Sequence, residues 1–322
     1  MTATVDAELP PMTSRQLAAL CTAAAVWGGS FLYVRVLIDA GMEPIGVSAL
    51  RSVFGLLTLA PFGWAARARF PRCPATIAGL AALGLANFAG PWTLVALSEE
   101  RIPSGVASIV NSAMPFWTAA FAVILAKADP LGRSQVAGLV LGFLGVVALL
   151  GNDILDLETS SIAGVGLMLA ATALAGFSSV AIRRWMSHVH PLPLTVGQIG
   201  FGSVYLLPAA LATGAYSGAS IGLKEAGAAF ALGGVGSGFV VVMFMWLIAS
   251  AEPVRATVVT YLIPPIGVFL GWAVLDERVG WNLVAGLGLV AAGVGLVQGM
   301  PRLRPLVRLS PPPRVDPTRS GD

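Results

Sequence analysis

Pro115 and Pro264 fall near the middle of long apolar stretches, where a helix would otherwise run unbroken. A proline inside a helix removes one backbone hydrogen bond and frees the carbonyl four residues earlier. Pro115 frees that of Asn111, Pro264 that of Thr260, and Pro265 that of Tyr261. Freed backbone inside an apolar medium is tolerated only within protein or beside a water-filled cavity. Asn111, Thr260 and Tyr261 are therefore expected to line a central site that binds a polar solute. The plainer alternative is a kink that aids packing, satisfied by Ser112 or Thr260.

Arg51 is the deepest charge, about one and a half turns inside an apolar stretch, whereas Arg35 stands four residues before Asp39. A charge at the bilayer centre costs about 2.5–3.5 kcal/mol on insertion scales, so such a residue faces inward or reaches the interface. Arg35 can snorkel to the edge, while Arg51 is placed to meet a substrate carboxylate or to pair with Asp39 or Glu43. Asn87 and Gln198 also fall inside apolar stretches and must find partners. Trp27, Trp92, Trp117, Trp246 and Tyr261 supply aromatic walls for an apolar substrate, with packing as the alternative for each tryptophan. Trp64, Trp281 and Trp92 are near enough to stretch ends to act as interfacial belt residues.

The elements that position these groups follow from composition. The chain has 322 residues, 56% hydrophobic and 11% charged. Soluble domains carry about 25% charged residues, so the solvent here is mostly lipid. Continuous runs rich in Leu, Ala, Val and Gly point to helices rather than the alternating strands of a membrane barrel. Ten spans are expected near 16–38, 45–66, 76–97, 103–126, 134–151, 161–183, 193–213, 226–249, 254–275 and 281–299. The first is too long for the apolar core of a signal peptide and reads as an uncleaved span. The fold class is thus all-α integral membrane.

Of 19 basic residues, 14 fall on the side of the N-terminus in this layout and 3 on the other. By the positive-inside rule both termini are cytoplasmic. The stretch from Ala107 to Val147 resembles that from Ala256 to Leu296: Pro115 aligns with Pro264, and Gly138 and Gly145 with Gly286 and Gly293. Five spans precede the midpoint and five follow it, so the second half enters from the opposite side, as in inverted-repeat transporters. The expected organisation is an N-terminal tail 1–15, a first five-helix repeat 16–151, an outer connection 152–160, a second repeat 161–299 and a disordered tail 300–322.

Several motifs in order resemble the EamA-type families of the drug/metabolite transporter superfamily. They are Trp27-Gly28-Gly29-Ser30-Phe31, Pro44 followed by Ala49-Leu50-Arg51, and Ile102-Pro103-Ser104-Gly105 leading to Pro115. Pro264, the Asp276-Glu277-Arg278 turn and Gly286 close the pattern. The resemblance spans about residues 16–299 and is architecturally similar to the YddG-type amino-acid exporters. It implies a carrier of amino acids or other small metabolites. Two departures stand out: Lys127-Ala128-Asp129 follows the fourth span where the family usually has an acidic residue, and Glu99-Glu100 reads as an insertion.

All 16 acidic residues fall outside the expected spans, which weighs against a proton antiporter built on a buried glutamate. His188 and His190 lie together in one loop, and Cys21 and Cys73 are isolated, so neither a metal nor a cofactor site is expected. The basic residues fit topology rather than nucleic-acid binding. An enzyme would need clustered His, Asp or Glu at one interface, where only acids such as Asp153, Asp156, Asp276 and Glu277 occur. The reading is a secondary transporter exporting small organic solutes, amino acids foremost, by alternating access around a midplane cavity. The alternative is a multidrug or other metabolite exporter of the same fold, and a non-transporting receptor ranks lower. Its partners are the solute and the lipid of a bacterial inner membrane, with a monomer or homodimer both open.

Overall fold

The computed structural model describes residues 13–65, 70–126, 132–150, 159–250 and 259–298. The two tails, the Lys127–Asp129 segment, most of the 152–160 connection and Arg255 lie outside the described residues.

Among the described residues all regular structure is helical. Seven stretches are long and apolar enough to cross a bilayer: Ser14–Asp39, Pro44–Ala65, Pro74–Glu99, Ser104–Leu125, Ser161–Trp185, Pro191–Thr213 and Leu223–Ile248. Shorter apolar helices cover Arg133–Ala148, Leu262–Leu275 and Trp281–Leu296.

The first stretch is α1 (Ser14–Gly28) and α2 (Ser30–Asp39). It opens on a capping box, in which Thr13 Oγ1 accepts the Gln16 N–H and Gln16 Oε1 accepts that of Thr13. Next come α3 (Pro44–Ala65) and α4 (Pro74–Gly84), each opened by a proline that needs no amide partner there. A π-helical turn, Leu85–Ala89, joins α4 to α5 (Gly90–Glu99). The fourth stretch is two helices, α6 (Ser104–Asn111) and α7 (Met114–Ala126), with α8 (Arg133–Leu150) after them. The remainder comprises α9 (Thr159–Trp185), α10 (Pro191–Thr213), α11 (Leu223–Phe230), a second π-helical segment (Ala231–Phe239), α12 (Val240–Ser250), α13 (Val259–Leu275) and α14 (Trp281–Gln298). Gly214 ends α10 in the left-handed region, at φ 70°, where glycine has no Cβ penalty.

Packing is by close backbone approach, as expected where lipid gives no hydrophobic drive between helices. α8 lies along α14, and a Cβ on Gly293 would fall 2.6 Å from the Gly138 carbonyl oxygen. Gly138 and Gly145 of α8 thus lie against α14. α3 packs on α10 and on the second π segment, α10 on α4 and the first π segment. α1 packs on α13 and α12, while α9 packs on α7 and α5. α6 lies against α13. The largest buried cluster joins Phe31, Ile109, Phe116, Met168, Ile263 and Val290. Trp64, Phe143, Trp246, Phe269 and Trp272 are instead exposed on the outside, where an acyl chain is their natural solvent.

Two features differ from the sequence expectations. The helix ending the third stretch runs two residues further than 76–97, to Glu99, and that side chain is fully buried rather than in a loop. Secondly, α13 continues uninterrupted through Pro264 and Pro265. Its neighbours hold it: a Cβ on Gly28 of α1 would sit 3.1 Å from the Ile263 carbonyl, and Ser108 of α6 donates to the Pro264 carbonyl at 3.4 Å. Neighbouring helices and serine hydroxyls are what allow a spanning helix to carry proline without breaking.

Candidate functional site

The second π segment receives interior polar contacts from α1 and α3. Its sequence, Ala231-Leu-Gly-Gly-Val-Gly-Ser-Gly-Phe239, is nearly half glycine. A π-helical turn widens the backbone and recurs at functional positions. Glycine lets α3 come against it: a Cβ on Gly233 would lie 2.7 Å from the Arg51 carbonyl oxygen.

On that platform the Arg51 Nε–H donates to Ser237 Oγ at 3.0 Å. Its guanidinium carbon stands 4.5 Å from the centroid of the Trp92 ring, a cation–π contact. The two terminal nitrogens of Arg51 have no hydrogen-bond partner among the described residues, and the side chain is only half-buried. One residue away, the Gly236 carbonyl accepts the indole N–H of Trp27 at 3.0 Å. Trp27 in turn meets Phe244 edge-on, with centroids 4.9 Å apart.

The first π segment mirrors this role across from α10. Asn87 Nδ2 donates to Gln198 Oε1 at 2.9 Å, and Gln198 is buried with its own amide nitrogen unpartnered. Phe88 stands edge-on to Trp92 at 5.0 Å, which links the Asn87 turn to the Arg51 contact. Arg51, Trp27 and Asn87 are thus brought to the two π-helical segments, both of which pack on α3.

The proline residues form a different environment. α6 ends at Asn111, and Ser112 and Ala113 turn through bonds of the Ala113 N–H to Val110 and of the Phe116 N–H to Ala113, at 2.9 and 3.0 Å. Pro115 lies at the start of α7, past this break. Ser112, Thr260 and Pro264 line a void of about 10 Å³ closed by Leu287, Val290 and Val294. That is room for about one water, not for a solute. The space beside Pro264 is thus too small for the solute that a midplane cavity would hold. The larger hollow, about 460 Å³, is a side-facing groove whose lining includes Ile45, Thr93, Leu94, Tyr205 and Ala209.

The remaining candidates scatter. Trp117 stacks on Phe121, whose ring meets Phe177 edge-on at 5.7 Å, so it joins α7 to α9. Trp246 is 46% exposed on the outer face of α12, and Pro265 is also exposed. The Tyr261 side chain lies outside the described residues. Arg35 is engaged at the end of α2: its Nε reaches Asp39 at 2.9 Å and its Nη1 donates to the Glu99 carbonyl at 2.7 Å.

Sequence reasoning missed Ser237, left Trp92 open between an aromatic wall and a belt residue, and placed Glu99 in a loop. The available signal for Ser237 was its place as the one hydroxyl in a glycine-dense run inside a span. Away from these groups, Cys73 is exposed at the start of α4, where the backbone N–H groups of Thr76 and Ala75 lower its thiol pKa. Tyr216 gives its hydroxyl to the Gly46 carbonyl at 3.3 Å, and burial raises its pKa.

The model of the EamA-like transporter family matches residues 15–151 and again residues 162–298. The chain belongs to that family. It is therefore a multi-pass membrane transporter and not an enzyme. Relatives of this EamA-family chain include the uncharacterized transporter YoaV of Bacillus subtilis, 20% identical over 84% of this chain and 91% of that one. The uncharacterized inner membrane transporter YedA of Escherichia coli K12 is 24% identical over 84% and 87%. A probable terminal-alkyne amino-acid exporter of Streptantibioticus cattleyicolor is 23% identical over 88% and 93%. A solved crystal structure superposes with a TM-score of 0.61 at 20% identity, covering 89% of this chain and 98% of that one, a likeness of fold alone.

Proposed function

We propose that this EamA-family chain exports small organic solutes bearing a carboxylate, amino acids foremost, by alternating access of two inverted five-helix halves. The observation that carries the solute class is the free fork of Arg51. Its Nε is fixed by Ser237 and its face by Trp92, which leaves two terminal nitrogens to donate to a carboxylate in bidentate geometry. Trp27 and Phe244 offer an apolar wall beside it. With Arg35 committed to Asp39, one interior fork suits a single carboxylate better than a polyanion. The relative named as a probable terminal-alkyne amino-acid exporter points the same way.

Support for the inverted architecture comes from the packing. Ten helical rods, counting α1–α2, α4–α5, α6–α7 and α11–α12 as one each, would give ten spans. Exchange each rod with the one five later, and the contact of α3 with the second π segment becomes that of α10 with the first. Likewise α1 on α13 becomes α9 on α6 and α7, and α8 on α14 maps to itself. Two matches to one family model over the two halves support the same division, near 16–151 and 161–299. The basic-residue bias supports cytoplasmic termini in a bacterial inner membrane. Monomer and homodimer both fit this scheme, and neither a cofactor nor a nucleic-acid partner enters it.

Counterflow in proteoliposomes tests the solute class. Vesicles preloaded with an unlabelled amino acid should take up the same labelled amino acid saturably, and the corresponding amino-acid amide, which lacks the carboxylate, should not compete. Uptake of neutral or cationic drugs with no amino-acid counterflow would move the chain to a drug-exporting role.

A further inference from the structure

Glu99 ends α5 with its side chain fully buried, and neither carboxyl oxygen has a hydrogen-bond partner among the described residues. Two neighbouring hydroxyls, Ser98 Oγ and Ser104 Oγ, are buried and unpartnered as well. Arg35 donates to the backbone carbonyl of Glu99, while its ion pair goes to Asp39. Glu277 is occupied too: the left-handed turn at Asp276, φ 54°, sets it where its two oxygens accept the Ser104 and Gly105 N–H groups at 2.7 and 2.9 Å. It thereby caps the first turn of α6.

The charged groups acting on Glu99 come from three elements: Arg35 and Asp39 on α2, Arg51 on α3, and Glu277 from the turn after α13. On its own side Glu100 and Arg101 pair with each other at the surface. Two guanidinium groups and two carboxylates balance without Glu99. An ionised Glu99 adds a surplus negative charge to a group with no donor. Buried carboxylates in that position neutralise, and a proton is the smallest neutralising species. A metal cation fits less well, because two guanidinium groups already act on the site. Among the described residues there is also no cluster of three or more His, Cys, Asp or Glu placed to hold a metal.

We propose that Glu99 is the proton-binding group that couples solute movement in this chain to the transmembrane proton gradient. Proton binding removes the surplus charge and lets the carboxyl stay sealed at the end of α5, where it is fully buried. Reopening to the opposite water phase releases the proton as a solvated ion and leaves the carboxylate wetted. One proton is bound and one released per cycle, with no bond made in the solute. The coupling role rests on the transport reading above, whereas the proton site itself does not.

The test uses the full chain, purified and reconstituted, with an amino acid that supports counterflow as the probe. One-proton coupling lets the wild type accumulate solute by about tenfold per unit of imposed pH gradient. In Glu99→Gln that accumulation is expected to vanish, while counterflow at equal pH persists and shows that the protein is folded. Gradient-driven accumulation by Glu99→Gln equal to wild type would overturn the proposal, as would accumulation driven by sodium and indifferent to pH. Infrared difference spectroscopy on the solute-free protein is the second readout. A protonated-carboxyl band that disappears on alkalinisation in the wild type and is missing from Glu99→Gln is expected. Identical bands in the two proteins would overturn the proton site. If no amino acid is carried, the solute reading fails while the infrared comparison still decides the proton site.

Discussion

Arg35 and Arg51 lie on successive helices of the same half, yet their surroundings use them in opposite ways. Arg35 spends its donors on Asp39, one turn along α2, and on the Glu99 carbonyl. It joins the end of α2 to the end of α5. Arg51 spends one donor on Ser237 and rests its face on Trp92, keeping its fork unpaired. The difference lies in what faces each helix. A carboxylate four residues on satisfies Arg35 locally, whereas Arg51 faces a glycine-rich π segment that offers one hydroxyl. An arginine satisfied from its own helix is an architectural residue; one fixed only at Nε and on its ring face is preorganised for a ligand.

The largest expected effect breaks that comparison at its stronger end. Arg51→Ala should lower transport efficiency for a carboxylate-bearing solute by about 100-fold, given the 2–5 kcal/mol typical of truncating one partner of a buried charge pair. Counterflow at matched protein abundance measures it. Arg51→Lys should recover little, because an ammonium cannot bond Ser237, lie on Trp92 and present a planar fork together. Full activity in Arg51→Lys would mean that charge alone matters and that the fork is incidental.

The second prediction sets the two prolines against each other. Pro115 stands just past an open helix break, while Pro264 lies inside a continuous helix braced by α1 and α6. Pro115→Ala lets α6 and α7 fuse into one rod and should slow counterflow by about tenfold, a barrier change of about 1.4 kcal/mol. Pro264→Ala should change it by less, with both variants inserting normally. Equal losses would show that the continuous helix also opens during transport.

Arg35→Ala tests the architectural end. Its ion pair is partly exposed, and the charged hydrogen bond to the Glu99 carbonyl adds to it, so the loss should be about 1–2 kcal/mol of stability. A lower midpoint of thermal unfolding in detergent is expected, with counterflow at equal pH nearly unchanged. A rise in the solute KM as large as that of Arg51→Ala would erase the distinction between the two residues.

The helix extents and the tension at Pro115 were legible in the sequence, because apolar length and proline chemistry are local. Arg51 was legible as a deep charge for the same reason. Its partners were not: Ser237 and Trp92 meet it through tertiary contacts between α3, α5 and the second π segment, and no local pattern encodes which helix lies opposite. Glu99 was hidden by a boundary two residues short, which turned a sealed carboxyl into a loop acid. Pro264 misled for a related reason, since proline costs a helix only what its neighbours fail to restore, and here Gly28 and Ser108 restore it. Asn111 and Thr260 were read as lining one central site; Thr260 lines a void the size of one water, and Asn111 is not among the residues around it.

The smallest expected effect comes from Trp246. Sequence alone placed it with Trp27 as an aromatic wall, and both lie on helices that flank the second π segment. Trp27 turns inward and bonds Gly236, whereas Trp246 is nearly half exposed on the outer surface of α12, with Ile248 also exposed. An outward tryptophan in lipid exchanges acyl contacts for acyl contacts when truncated, so little free energy separates it from alanine in either transport state. Only an interaction that differs between two states shifts their balance. Trp246→Ala should therefore leave counterflow within about twofold of wild type, under 0.5 kcal/mol, while Trp27→Ala should not. A large loss in Trp246→Ala would place a moving surface, or a second copy of the chain, against α12 and would make the outer face part of the transport cycle.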